Sequence, residues 1–232
     1  MAKPDKLQLA QLDKQLRDCI LCLNAGFAIT TGAVFSHPPA SDVMLIGQAP
    51  GITEVEAKRP FNAGSGRRLF QWLEGAGWQE DTFRANYVMT AVTKCYPGKG
   101  SNGKGDRVPT KAEQQLCRPF LEGEFKLYRP RLIMPVGGLA IKLFFPASKR
   151  LNQIIGTAIY FGPEVSADPL DLNLKHGQRL TEFDPSLSHN GRWLVPLPHP
   201  SGASLWPNKP KNKLLIEQAI RILEGIREAW QL

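Results

Sequence analysis

The chain has 232 residues, 42% of them hydrophobic and 22% charged, enough to bury a full core and too apolar for wholesale disorder. Lys and Arg outnumber Asp and Glu by 29 to 21, a net charge of +8, which suits a polyanionic partner such as nucleic acid as well as a merely solvated basic surface. No run approaches the roughly 18 apolar residues of a membrane span, and the start, Met1-Ala-Lys-Pro-Asp-Lys6, has no apolar core of signal-peptide length. No membrane contact is expected, and the cytoplasm is the expected location.

Leu9, Leu12, Leu16 and Ile20 recur at helical spacing and predict an N-terminal amphipathic helix running into Cys19-Ile-Leu-Cys22. Asp42-Val-Met-Leu-Ile-Gly47 reads as a buried strand, followed by the loop Gln48-Ala49-Pro50-Gly51. A helix fits Gly66 to Ala76, with Leu69, Phe70, Trp72 and Leu73 on its apolar face and Gly77 ending it. Tyr87 to Thr93 predicts a second strand, with Cys95 just beyond its end. Thr110-x-x-Glu113 is a capping box for a helix carrying Leu116, Cys117, Phe120 and Leu121.

Leu132 to Val136 is a third strand with Pro135 at its end, and Gly137-Gly138 opens a short helix through Phe145. Ile154 to Phe161 and Trp193 to Leu197 read as further strands, the last delivering His199 at its carboxyl end, and a final helix follows Ile216, Ala219, Leu223, Ile226 and Trp230. The polar, aperiodic stretches near 97–105 and 162–192 read as surface insertions. The expected fold is a single three-layer α/β/α domain over residues 1–232 with a central, mainly parallel four-stranded sheet, which would bind ligands at the carboxyl ends of its strands.

In a reducing compartment four cysteines do not suggest a disulfide framework. Cys19-x-x-Cys22 sets two thiols within reach of one metal centre, and Cys95 and Cys117 flank a flexible loop that lets a second pair close on it. Zinc and an iron-sulfur cluster both suit four thiolates, and simple burial of Cys95 and Cys117 is the plainer alternative.

Three further segments fall at strand ends: Gly47-Gln-Ala-Pro-Gly51, Arg59-Pro-Phe61-Asn-Ala-Gly64 and His199-Pro-Ser201. With the four cysteines, in this order from Cys19 to about Lys213, the chain resembles the family 4 uracil-DNA glycosylases, the iron-sulfur branch of that superfamily. The resemblance implies a [4Fe-4S] cluster on Cys19, Cys22, Cys95 and Cys117. It implies a DNA glycosylase that flips a deaminated base out of the duplex and hydrolyses its N-glycosidic bond in base excision repair, acting as a monomer on DNA that carries the damaged base.

By the same resemblance Gly47, Gln48, Ala49, Pro50 and Gly51 shape the base pocket, with Gln48 in place of the usual glutamate. Phe61 stacks on the base, Glu54 orients water or steadies the sugar cation, and His199, beside Ser201, stabilises the departing base. The plainer alternatives are a solvated carboxylate for Glu54, a core ring for Phe61 and a structural histidine for His199. The family's base-reading asparagine falls on Ala91, which removes a bidentate contact worth about 1–3 kcal/mol of discrimination. Thr93, two residues along the strand, and Gln48 are the expected partial substitutes, so relaxed specificity extending to bases such as hypoxanthine is expected. His37 precedes the first strand and reads as incidental.

Beyond Ser201 the sequence Leu205-Trp206-Pro-Asn-Lys209-Pro-Lys211 implies a minor-groove loop, with Leu205 or Trp206 as wedge and the lysines on phosphates. A proline-rich helix entry is the alternative. Lys99, Lys104 and Arg107 are candidate phosphate contacts or a solvated loop. Two other function classes stay open: a non-catalytic lesion or nucleic-acid binder on the same fold, and a zinc-stabilised nucleic-acid module.

Overall fold

In the computed structural model, which describes residues 4–101, 103, 105–187, 189–202 and 204–232, helix α1 (Lys6–Arg17) opens the chain. Its amino end is capped by the Asp5 carboxylate, which accepts the N–H groups of Leu7 and Gln8. Leu12 and Leu16 are buried, but the predicted apolar repeat stops there. The helix ends before Cys19, and Ile20 is 49% exposed. A single turn, α2 (Leu21–Asn24), carries Cys22.

β1 (Val43–Gly47) is buried at every residue, as a strand covered on both faces must be. After it come α3 (Ile52–Ala57), α4 (Gly64–Gly75), α5 (Glu80–Asn86) and β2 (Val88–Ala91). α6 (Lys111–Tyr128) starts at the predicted capping box: Thr110 accepts from the Glu113 N–H, and the Glu113 carboxylate accepts the Thr110 N–H. β3 (Leu132–Pro135) ends on its proline, where no further ladder donor is needed. Next are α7 (Gly138–Ile141), β4 (Ala158–Phe161), α8 (Pro163–Ser166), β5 (Gly177–Leu180), β6 (Arg192–Leu194) and α9 (Pro210–Trp230).

The strands form one six-stranded sheet in the order β2-β1-β3-β6-β4-β5. The first four are mutually parallel, which is the expected four-stranded centre. β4 and β5 extend it antiparallel beyond β6, and β5 comes from the 162–192 stretch read as an insertion. Alternate residues of the strands feed two cores. Val43, Leu45, Leu132, Met134 and Trp193 pack under α4, α5 and α9, and Met44, Ile46, Ile133 and Leu194 pack under α6 and α7. The result is three layers. Among the described residues no helix is long and apolar enough to cross a membrane.

The chain leaves β1 for β2 on one side and later returns to β3 on the other. This reversal of strand order opens a crevice at the carboxyl ends of β1, β2 and β3, the usual ligand position in such sheets.

Candidate active site and thiol cavity

At that crevice Gly47, Gln48, Ala49, Pro50, Glu54, Phe61, Ala91 and His199 line one pocket. Gly47 to Pro50 come from the end of β1 and the loop after it, Glu54 from α3, Phe61 from the loop before α4, Ala91 from the end of β2 and His199 from the segment after β6. Val34, Pro60, Ser65, Thr90, Val136 and Pro200 complete the wall. Sequence reasoning missed these because their pocket position depends on which strands become neighbours.

Phe61 has φ +52°, a left-handed conformation that costs a non-glycine residue about 1–3 kcal/mol. Its ring tip stands against Gly47, where an added Cβ would lie 3.0 Å from Cζ, and an added Cβ on Gly66 would overlap the Phe61 carbonyl. Two bare glycines therefore make room for the ring and the backbone that carries it.

Glu54 sits at the third position of α3 and is not a solvated carboxylate. Oε2 accepts the Gly51 N–H at 2.7 Å and Oε1 accepts the Phe61 N–H, so one side chain closes the loop between β1 and α4. Burial raises its pKa, opposed by these two backbone donors, and the nearby Asp106 carboxylate adds to the rise. Gly51 itself is the N-cap of α3 and does not line the pocket.

His199 follows the Val136–Leu197 bridge that prolongs the parallel pairing beyond β3 and β6. The opposing Gly137 has φ +85°, and a Cβ there would lie 2.9 Å from His199 Cδ2. His199 Nδ1 accepts the Ser201 N–H at 3.2 Å and lies 2.9 Å from Ser201 Oγ. An accepting Nδ1 assigns the proton of the neutral ring to Nε2. Burial lowers the pKa of this histidine, which favours that neutral form. Ser201, expected to touch substrate, holds the His199 ring through these two contacts and does not line the pocket.

Thr93 also corrects an expectation. β2 ends at Ala91 and the chain then bends, so strand alternation no longer fixes where residue 93 points. Thr93 borders the thiol cavity rather than the strand-end pocket, and Thr90 takes the polar place beside Ala91. The Thr90 hydroxyl is 2.9 Å from both oxygens of the buried Glu124 carboxylate.

Glu124 organises the layer beneath. Lys94 Nζ donates to it at 2.9 Å and to the Ala91 carbonyl at 2.7 Å, and His37 spans Glu124 at 3.1 Å and Asp13 of α1 at 2.6 Å. Burial opposes the Glu124 charge, but Lys94 and His37 outweigh it and hold the carboxyl below its ordinary range. Burial likewise opposes charging of His37, and its two carboxylate partners overcome that and raise its pKa. His37, read as incidental, is thus part of a paired, buried charge network.

All four cysteines border a second, tight cavity of about 20 Å³, walled by Leu16, Ile29, Leu116 and Phe120 among others. Burial raises the Cys95 thiol to about 12, with Cys117, Cys19 and Cys22 adding to the shift, and raises Cys117 to about 11. Such thiols ionise only when a cation or cluster stabilises the thiolate. Among the described residues no three His, Cys, Asp or Glu side chains converge on a single-ion position. Four thiols bordering one cavity are a donor set of the kind that zinc or an iron-sulfur cluster takes.

Two further features fit such a group. The Lys94 N–H donates to Cys117 Sγ at 3.3 Å, and Thr93 Oγ1 is buried in the cavity wall without a protein partner, a donor available to an inorganic sulfide.

In the expected minor-groove loop Leu205 is 73% exposed, whereas Trp206 is half-buried against the second core and its carbonyl accepts from Asn212. Lys209 and Lys211 are exposed at the start of α9. Arg107 is turned inward onto Glu113, with Nη1 to Oε2 at 2.7 Å, and Lys99 pairs with Asp106 at 3.3 Å. Lys104 lies outside the described residues.

A family model described as the uracil DNA glycosylase superfamily matches residues 35–224. Among similar proteins, the Type-4 uracil-DNA glycosylase of Pyrobaculum aerophilum is 31% identical over 114 residues, covering 49% of this chain and 53% of that protein. That of Sulfurisphaera tokodaii is 30% identical over 108 residues, 46% of this chain and 44% of that protein. That of Thermotoga maritima is 30% identical over 119 residues, 50% and 56% respectively. The chain spans about half the length of the relatives it matches. The family match takes in every residue that lines the strand-end pocket except Val34, and on that match the chain belongs to the uracil DNA glycosylase superfamily.

Proposed function

We propose that this protein is a monofunctional DNA glycosylase that excises a deaminated base from DNA. The observation that carries the reading is the single pocket uniting the Gly47–Pro50 loop, the Phe61 ring, Ala91 and His199 at the sheet's switch point. A flipped base stacks on Phe61, and the neutral His199 donates from Nε2 to an oxygen of the departing base as negative charge develops on it. Water or the sugar cation falls to Glu54, whose two accepted N–H bonds also hold the pocket loop in shape.

Specificity rests on what Ala91 lacks. Its methyl offers no hydrogen bond to a base, its carbonyl is engaged by Lys94, and the Thr90 hydroxyl is turned to Glu124. Gln48 is then the remaining amide on the wall. We therefore propose a broader range of bases than strict uracil recognition, including hypoxanthine.

Cys19, Cys22, Cys95 and Cys117 would hold a [4Fe-4S] cluster, which when bound supplies a cross-link between the turn after α1, α2, the segment after β2 and α6. Hydrolysis needs no electron transfer. Leu205, by its exposure, is the wedge that fills the duplex behind the flipped nucleotide, and Lys209 and Lys211 meet phosphates.

Oligonucleotides carrying one uracil, hypoxanthine or xanthine, assayed for alkali-labile abasic sites, test the reading. Cleavage of uracil alone would overturn the specificity. Tight lesion binding with no abasic product would overturn the activity and favour a binder on the same fold.

A further inference from the structure

We infer that Arg84, on a helix that contributes nothing to the pocket wall, is the positioning residue that sets the Phe61 ring for base stacking. The inference rests on the glycosylase reading above. Arg84 projects from α5 and donates from Nη1 to the Pro60 carbonyl at 2.7 Å and from Nη2 to the Phe61 carbonyl at 2.8 Å. Its Nε donates to Glu80 at 2.7 Å, and its guanidinium lies 4.3 Å from the centroid of the buried Phe70 ring. The fork is fixed on all sides before any base arrives.

Phe61 is thereby gripped at both polar ends of one residue. Glu54 from α3 takes its N–H, and Arg84 from α5 takes its C=O. The left-handed backbone between them turns the ring over Gly47. A phenylalanine released from either end would relax toward an ordinary conformation and lift its ring from the pocket. The stacking surface is thus ordered in the free protein, so base binding need not pay for ordering it. Lysine cannot replace the fork, because one ammonium does not reproduce a planar pair of donors to successive carbonyls.

The test is a double-mutant cycle on the full chain with its metal centre loaded, using Arg84→Ala, Arg84→Lys, Phe61→Ala and Arg84→Ala/Phe61→Ala. Binding is read by anisotropy on duplexes carrying one 2′-fluoro-arabino-uridine, which resists cleavage, against undamaged duplex. Excision is read in single turnover on deoxyuridine. Arg84→Ala should lower lesion-over-undamaged discrimination about tenfold when Phe61 is present and less than twofold when it is absent, as for groups acting as one unit. Arg84→Lys should fall between, with an unchanged far-UV spectrum.

Equal losses in both backgrounds would mean that Arg84 does not act through Phe61 and would overturn the inference. Amide hydrogen exchange gives a reading that needs no DNA: Arg84→Lys should release the Phe61 N–H while β1 stays protected, and unchanged protection at Phe61 would also overturn it. A wild-type protein that neither excises nor discriminates any lesion would instead overturn the glycosylase reading, leaving the exchange result to judge the clasp.

Discussion

Gly137 and His199 face each other so closely that a single added carbon on the glycine would lie 2.9 Å from the imidazole Cδ2. Gly137 also holds φ +85°, where a side chain is strained in any case. Gly137→Ala should therefore displace His199 as well as strain the backbone. The expected stability loss is about 1–3 kcal/mol, while excision falls about 100-fold, the scale of a small misplacement of a catalytic group. Thermal melts beside single-turnover rates separate the two, and an activity loss no larger than the folded fraction explains would refute the assignment.

The acid limb of activity should contain two protonations. His199 must be neutral and its pKa is lowered from the ordinary 6.5 by burial, while Glu54 must be ionised and its pKa is raised from 4.5, also by burial. Working form is thus lost as pH falls, with His199 taking up its proton below pH 6.5 and Glu54 taking up its proton above its ordinary 4.5. A plot of log kcat/KM against pH should fall with a slope approaching two, and His199→Asn should reduce that slope to one. An identical acid limb in the variant would show that His199 is not one of the titrating groups.

Cys117→Ser places a hydroxyl where a buried thiol borders the cavity and accepts the Lys94 N–H. Under the cluster proposal the variant should lose most of its iron and acid-labile sulfide and its visible absorbance, and should melt at a lower temperature than the parent. Stoichiometric zinc with no iron in the anaerobically purified parent would decide for a zinc module instead.

Lys94→Met removes the cation that Glu124 needs in the interior. Leaving the buried carboxylate with His37 as its remaining cationic partner should cost up to about 3–5 kcal/mol, a large part of the stability of a domain this size. Urea denaturation should show that loss, and Lys94→Met/Glu124→Gln should recover part of it because a neutral amide needs no cation. A double variant no more stable than the single one would place the damage in packing rather than charge.

The parallel centre of the sheet was legible because β1 and β3 are apolar without interruption and β6 runs from Arg192 into the apolar stretch Trp193 to Leu197. The capping box at Thr110 and Glu113 placed the start of α6 for the same local reason. β5 was not legible: Gly177-Gln-Arg-Leu180 has no alternation, and it joins the sheet through backbone bonds to β4 at the edge. α5 is seven residues long with only Phe83 buried, too short for a helical period to register.

In the pocket, Gln48, Glu54, Phe61 and His199 were named from motifs that carry the family resemblance, and the structure brings these four to one cavity. Thr93 was misplaced because strand alternation was extended past the last strand residue. Arg84 and Lys94 were invisible as site residues, since their partners are backbone carbonyls and a carboxylate 30 residues away, and no local pattern marks such contacts.

The chain of contacts from Asp13 through His37 and Glu124 to Lys94 has a practical consequence for anyone trimming this protein to the family-matched residues 35–224. Such a fragment would discard Cys19 and Cys22 together with Asp13, so it would lose half the thiols and one carboxylate partner of a buried histidine at the same cut. The region outside the shared family core is wired into the floor beneath Thr90 and Ala91. A minimal catalytic fragment should therefore begin ahead of Asp5, the residue that caps α1, rather than at the first matched residue.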